Sequence, residues 1–120
     1  MVYFDHEKLD VYKIAIELIV LINMTIENFP RGKAYLADQL QRAGASIPLN
    51  IAEGAGEYSR NEKSRFYRMA KRSATECAAI FDVCHHLLII EEKNYQNARE
   101  SLTRIVAMLT KLAKFSEKPN

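Results

Sequence analysis

The sequence contains few of the residues that several common classes of fold require. Among 120 residues there are four glycines and three prolines, too few turn formers for a sandwich or barrel of many strands. Two cysteines, Cys77 and Cys84, are too few for a disulfide scaffold. On one helix they would stand about 10 Å apart along the axis, too far for a disulfide. We therefore expect two reduced, mostly buried thiols.

The sequence also has no long hydrophobic run. The longest apolar stretch, Ile14–Ile22, has nine residues and contains Glu17, whereas a membrane-spanning helix needs about twenty. The first ten residues are polar and mixed in charge, unlike a signal peptide. These features predict a soluble, cytoplasmic protein with no membrane partner.

What the sequence does contain is helical periodicity. Hydrophobic residues make up 48% of the chain, and they recur at steps of three and four in four segments. The predicted helices cover residues 7–28, 34–54, 60–90 and 95–115, and Ser59 and Glu62 have capping-box spacing at the third start. Because the connections are short, we predict an all-α, antiparallel, up-down-up-down four-helix bundle, a single domain over residues 1–120.

A proline interrupts the second predicted helix. Pro48 removes a backbone hydrogen bond and pushes its ring toward the carbonyl of Gly44, so we expect a kink there. Ser46 or Asn50 would hydrogen-bond a freed carbonyl. Two interpretations of this helix stay open: a kinked, tightly packed structural element, or a helix whose Asn50 and Glu53 form a polar contact in a cleft or across an interface.

The second half of the first predicted helix is apolar on nearly every side. Val20, Leu21 and Met24 follow a polar stripe that ends at Glu17. A helix that is hydrophobic all round is normally buried all round, yet each helix of a bundle has an outer face. We therefore expect another subunit to cover this helix; a tolerated apolar surface patch is the alternative.

The second helix carries the most specific motif of the chain. Residues 36–54 read LADQLQRAGASIPLNIAEG, which resembles the signature of the bacterial 23S rRNA intervening-sequence (S23-type) proteins. Residues 8–12, 62–66 and 70–76 also resemble that family. The motif positions with a structural or interface role are Ser46, Pro48, Asn50, Glu53 and Gly54.

The resemblance implies a four-helix bundle that assembles as a homopentamer. Related accessory proteins of diversity-generating retroelements share the fold and bind nucleic acid and a reverse transcriptase. The resemblance therefore implies RNA, DNA or a protein such as a reverse transcriptase as partners, whereas it assigns no biochemical activity.

The most informative charged feature is residues 60–72, called here the basic segment. It contains six cations and one anion, while the rest of the chain contains eleven cations and fourteen anions. Such a stripe can neutralise several phosphates. Cations in the first half of a helix oppose its dipole, and the sequence shows no folding benefit for them. We predict nucleic-acid binding by Arg60, Lys63, Arg65, Arg68, Lys71 and Arg72, with base stacking on Tyr67 and Tyr58.

A second interpretation of the basic segment stays open, namely a solvated face with salt bridges to Glu57, Glu76 or another helix.

The sequence contains only weak candidates for a catalytic or metal site. Asp82 and His85 are the nearest match to the Glu-x-x-His pairs of di-metal bundles, but both point off the apolar face. We expect a non-enzymatic protein without metal or cofactor: an oligomeric RNA- or DNA-binding scaffold or accessory factor, or alternatively a protein–protein adaptor that binds no nucleic acid.

Overall fold

The computed structural model describes residues 4–117, and within that range it contains helices and turns but no strand. A 3-10 turn, Asp5–Lys8, precedes four helices: α1 (Asp10–Ile26), α2 (Ala34–Ala55), α3 (Arg60–His86) and α4 (Glu92–Glu117). α3 packs against α2 and α4, and α1 packs less extensively against the same two helices. The predicted all-α, four-helix architecture is confirmed. None of these helices is long and apolar enough to cross a membrane.

Contacts between α2 and α3 join later residues of α2 to earlier residues of α3. The Ser46 hydroxyl meets that of Ser73 at 2.8 Å. Gly54, further along α2, lies against Tyr67, which comes earlier in α3. The up-down-up-down order of all four helices and the kink at Pro48 stay predictions.

The core is built from apolar stripes at helical spacing. Helical spacing predicts an α2 stripe of Leu36, Leu40, Ala43, Ile47 and Ile51 and an α4 stripe of Ala98, Leu102, Ile105, Val106, Leu109, Leu112 and Ala113. Both stripes lie inside the molecule, apart from half-buried Val106 and Leu112. The same spacing predicts that Met69, Leu87 and Leu88 belong to the apolar face of the third helix, which is wrong, because all three are exposed. The largest fully buried apolar side chains are Leu18, Ile22, Leu40, Ile47, Ile51, Phe81, Ile105 and Leu109.

The helix ends differ from the predicted bounds by a few residues. α1 begins at Asp10 rather than at residue 7, because the chain before it forms the 3-10 turn and Leu9 is extended. α3 ends at His86 rather than at residue 90, and α4 begins at Glu92 rather than at residue 95. Residues 87–90 continue the apolar pattern although the backbone turns there, so hydrophobicity alone placed the end of α3 too late.

α3 ends in a Schellman motif with a leucine at its left-handed position. Leu88 has a φ of 61°. Its N–H donates to the His85 carbonyl at 3.1 Å, and the Ile89 N–H donates to the Cys84 carbonyl at 3.1 Å. Glycine usually occupies this position, because a Cβ atom in the left-handed conformation costs roughly 1–2 kcal/mol. The Leu88 side chain is exposed, so packing does not offset this cost within residues 4–117.

Both cysteines are free and buried, as predicted. Burial, with a smaller effect from the charge of Glu76, raises the pKa of the Cys77 thiol to about 12. Burial also raises the pKa of Cys84. Both thiols therefore stay protonated near neutral pH and pack as small apolar groups.

Candidate nucleic-acid interface

The basic segment starts at the first turn of α3. The Oγ of Ser59 accepts a hydrogen bond from the backbone N–H of Glu62 at 3.3 Å, as the capping-box spacing predicts. The Glu62 carboxylate lies 2.9 Å from the Arg65 guanidinium, and the hydrogen bonds from that guanidinium lower the pKa of Glu62. Both side chains of this pair are about half exposed, so the pair contributes little to stability.

Lys63 closes the end of the preceding helix. Its Nζ donates to the carbonyl of Gly54 at 2.9 Å and to that of Ala55 at 3.0 Å. These carbonyls belong to the last turn of α2, where the intrahelical N–H donors run out; the Gly54 carbonyl also accepts a hydrogen bond from the Glu57 N–H at 3.2 Å. The ammonium group also opposes the negative end of the α2 dipole. Lys63 is therefore a capping residue.

Arg60 acts on a third helix. Its Nε donates to the carbonyl of Ser116 at 3.1 Å, and its Nη2 donates to that of Phe115 at 3.2 Å. Both carbonyls lie in the last turn of α4. The expectation that cations at the start of α3 bring no folding benefit is therefore wrong for Arg60 and Lys63, because each satisfies the end of a neighbouring helix.

Arg65 and Arg68 are paired but remain about half exposed. The Arg65 guanidinium lies 4.6 Å from the Phe66 ring centroid, besides its contact with Glu62. Arg68 Nη1 donates to the Ser64 hydroxyl at 2.6 Å and lies 2.9 Å from the Glu117 carboxylate. Exposed pairs of this kind are weak and screened by salt. These two guanidinium groups can therefore exchange a carboxylate for a phosphate at little cost.

The side chains of Lys71 and Arg72 form no hydrogen bond or ion pair with any residue in 4–117. Arg72 is exposed, and Lys71 is partly exposed. The salt bridges that the sequence suggested to Glu57 or Glu76 are not formed; Arg65 pairs with Glu62 on the same helix, and Arg68 pairs with Glu117 on α4, the bridge to another helix that the alternative interpretation included.

Tyr67 is not a stacking residue in this structure. Its side chain is only 3% exposed and belongs to the core. Burial, with a smaller effect from the charge of Asp5, raises the pKa of its hydroxyl. The prediction that Tyr67 stacks on bases is wrong because helical phase turns its ring inward against Gly54, where an added Cβ would lie 2.9 Å from Tyr67 Cε1.

Two other aromatic residues have their backbone near the start of α3, and their side chains are exposed. Tyr58 stands two residues before Arg60 and is fully exposed, at 101%. Phe115 is 74% exposed, and its carbonyl accepts the hydrogen bond from Arg60. The sequence did not indicate Phe115, because its hydrogen bond with Arg60 joins residues 55 positions apart and no local sequence pattern predicts such a contact.

The motif residues of α2 form a polar contact with α3. The Asn50 amide donates to both the carbonyl and the hydroxyl oxygen of Ser46, at 2.9 Å each. The Ser73 hydroxyl on α3 donates to the hydroxyl oxygen of Ser46. Asn50 thus bonds the Ser46 carbonyl rather than that of Gly44, which Pro48 deprives of its helical partner. These contacts lie within one chain and tie α2 to α3.

Glu53 lies apart from that contact. It is exposed and, together with Asp5 and Glu57, lines an open cavity of about 310 Å³ beside the 3-10 turn. Within the described chain Asn50 bonds Ser46, and a contact of Asn50 or Glu53 across an interface stays a prediction. Carboxylates dominate this cavity, so it repels phosphate.

The outer face of α1 exposes three apolar side chains. Ile16, Val20 and Met24 follow one another at four-residue spacing and are 41%, 56% and 58% exposed. Side chains four apart lie on the same side of a helix, so the three form a continuous strip. This strip is the surface expected for contact with another subunit.

Asp82 and His85 are taken up by contacts between α3 and α4. The Tyr95 hydroxyl donates to Asp82 at 2.7 Å, and this bond raises the pKa of Tyr95. The His85 ring stacks on the Tyr95 ring at 3.8 Å and its Nε2 lies 2.8 Å from the Glu92 carboxylate. Within residues 4–117 no three His, Cys, Asp or Glu side chains converge on a metal position.

The fold and the comparisons together define the class of this protein. It is an all-α protein of four helices that pack against one another. The family model of the 23S rRNA-intervening sequence protein matches residues 7–111, and the chain belongs to that family.

Solved structures give the same fold. One similar structure is a protein of unknown function from the S23 ribosomal protein family of Bacteroides thetaiotaomicron VPI-5482. It is 22% identical, the match covers 87% of this chain and 98% of that one, and the TM-score is 0.80. No curated protein matches the chain.

Proposed function

We propose that this protein is a non-enzymatic, homo-oligomeric scaffold or accessory factor that binds RNA or DNA through the outer part of the basic segment. The observation that carries the proposal is the absence of protein partners for Lys71 and Arg72 among residues 4–117. Beside them stand half-exposed Arg65 and Arg68. We call these four residues the outer cations.

The outer cations set an upper limit to the electrostatic contribution. Arg60 and Lys63 are committed to helix ends, so the basic segment of one subunit offers at most four phosphate contacts. Four contacts correspond to a slope of about −2.8 for single strands, or about −3.6 for duplex, in log affinity against log salt. In an oligomer the sites of several subunits act together and the apparent affinity rises.

The test is a charge reversal with a matched control. Lys71→Glu with Arg72→Glu should weaken binding to a labelled oligonucleotide and lower the salt slope by up to two contacts. Arg104→Glu with Lys111→Glu changes the net charge equally on exposed positions of α4 and should leave binding nearly unchanged. Equal loss in both variants would indicate net charge alone, and no binding at low salt would refute the proposal.

The oligomer is proposed from the exposed strip on α1, and a pentamer is what the family resemblance implies. Val20→Glu with Met24→Glu places charges in the strip without touching the core. Light scattering should report a multiple of 13.8 kDa for the native chain and a smaller particle for the variant. A native particle of single-chain mass would overturn this part of the proposal.

A second candidate function is a cytoplasmic protein–protein adaptor that binds no nucleic acid. The exposed α1 strip favours it, since an apolar strip suits a protein surface. A protein such as a reverse transcriptase is the partner that the resemblance implies. The charge-reversal experiment separates the candidates: an adaptor shows no binding to any RNA or DNA at low salt, whereas the leading proposal requires it.

A further inference from the structure

We propose that the nucleic acid bound by this protein is single-stranded, and that Tyr58 and Phe115 stack its bases at one end of the molecule. The inference rests on the proposed function and names the substrate class of that site. It is carried by an observation separate from charge, the exposure of two aromatic rings beside the start of α3.

The two rings contribute little to folding. Tyr58 is fully exposed and Phe115 is 74% exposed, so neither gains much from burial in the isolated chain. Single-stranded nucleic acid offers a base face to each of them, and stacking of this kind is tolerant of sequence. Duplex bases are already stacked on one another and offer no such face away from their ends.

The structure connects the two chain segments that carry the rings. Tyr58 stands two residues before Arg60, and Arg60 bonds the backbone carbonyl of Phe115 at 3.2 Å. Arg60 thus links the turn that carries Tyr58 to the last turn of α4. The Ser59 cap also fixes the backbone at the start of α3, and a backbone held in place lowers the entropy lost on binding.

The distribution of charge favours one path for the bound strand over the protein surface. On the side of α2, the cavity lined by Asp5, Glu53 and Glu57 repels phosphate. The outer cations follow one another along α3, from Arg65 to Arg72, at increasing distance from the turn that carries Tyr58. The backbone of the strand should therefore leave the aromatic pair along α3 and avoid the cavity, so that stacking and phosphate contacts occur together.

The direct test uses tryptophan fluorescence. The chain contains no tryptophan, so Tyr58→Trp introduces a single reporter at the proposed site. Adding a single-stranded pyrimidine oligonucleotide should quench it as a base stacks on the indole, whereas a hairpin-closed duplex of equal length should not. The control is Tyr35→Trp, an exposed aromatic at the start of α2, roughly 30 Å along that helix from its other end.

The affinity test removes the rings. Tyr58→Ala and Phe115→Ala should each weaken single-strand binding about 5- to 150-fold. The slope of log affinity against log salt should stay the same, because no cation is lost. Tyr58→Phe keeps the ring and should retain native affinity, and Tyr35→Ala should have no effect. Circular dichroism should show all four variants folded.

The outcomes separate this inference from the proposed function. If binding depends on Lys71 and Arg72 but single strands and duplexes bind equally, and neither aromatic substitution matters, the stacking inference is refuted and the proposed function stands. If Tyr58→Ala and Tyr35→Ala lose affinity equally, stacking at this end is refuted as well. If no RNA or DNA binds at low salt, both fall.

Discussion

Replacing Lys63 by methionine should destabilise the fold without removing a phosphate contact. Methionine keeps an unbranched side chain that lacks only the terminal ammonium group, and it donates no hydrogen bond, so the carbonyls of Gly54 and Ala55 lose their ammonium partner. The Ala55 carbonyl then depends on water, whereas the Gly54 carbonyl keeps its hydrogen bond from the Glu57 N–H at 3.2 Å. Lys63 is partly buried. The substitution therefore isolates the capping role from helix propensity and from side-chain volume.

The magnitude follows from the two hydrogen bonds, at 2.9 and 3.0 Å. A net contribution of about 0.5–1.5 kcal/mol for each, and roughly 0.3–1 kcal/mol from the helix dipole, gives about 1–3 kcal/mol after allowance for solvent access. For a domain of this size each kcal/mol lowers the melting temperature by about 3–6 °C. Thermal unfolding followed by circular dichroism measures this change.

Lys71→Met is the matched control, since it makes the same chemical change on the same helix where no partner exists within residues 4–117. It should leave the free energy of unfolding within about 0.5 kcal/mol of the native value and reduce oligonucleotide affinity. The reasoning would be refuted if Lys63→Met were as stable as the native chain, or if both substitutions destabilised it equally.

Three further predictions concern stability and reactivity. Leu88→Gly should stabilise the protein by about 1 kcal/mol in urea unfolding, because it removes the strain of a left-handed leucine; a loss of stability would show that the exposed side chain packs. Gly54→Ala should destabilise the protein by up to about 2 kcal/mol, because the added Cβ would lie 2.9 Å from Tyr67 and this clash exceeds the gain in helix propensity. Gly56→Ala is the control and should be neutral, because its added Cβ would have no neighbouring atom closer than 3.7 Å. Cys77, with its pKa raised to about 12, should resist thiol reagents at pH 9 until unfolding. The unfolded thiol ionises first, so stability should fall as pH rises from 9 toward 12; rapid labelling of the native protein would contradict this.

Helical spacing predicted most of the fold. The stripe from Leu36 to Ile51 lies in the core, because a period of 3.6 residues determines which side of a helix is buried. The end of α3 was misplaced because it depends on the left-handed backbone of Leu88, for which a glycine is the usual signal and a leucine is none.

The candidate site was predictable in composition but not in the role of each residue. The sequence located every cation of the basic segment, but it could not separate Lys63 from Lys71. That difference depends on which helix end lies nearby: Lys63 reaches α2, and Arg60 reaches α4 across 56 positions of sequence. Tyr67 and Tyr58 likewise differ only in helical phase and cap geometry.

The division of labour along the basic segment has a consequence for how its positions should vary among homologues. Substitution at 60 or 63 affects folding in every homologue that keeps these helix ends, whatever it binds, so a cation should persist there even where the ligand has changed. The side chains at positions 71 and 72 form no hydrogen bond or ion pair within the described chain. The residue types selected there should therefore depend on the molecule that each homologue binds. An alignment in which the first pair is retained and the second pair divides into charged and uncharged groups would therefore sort the family by what its members bind.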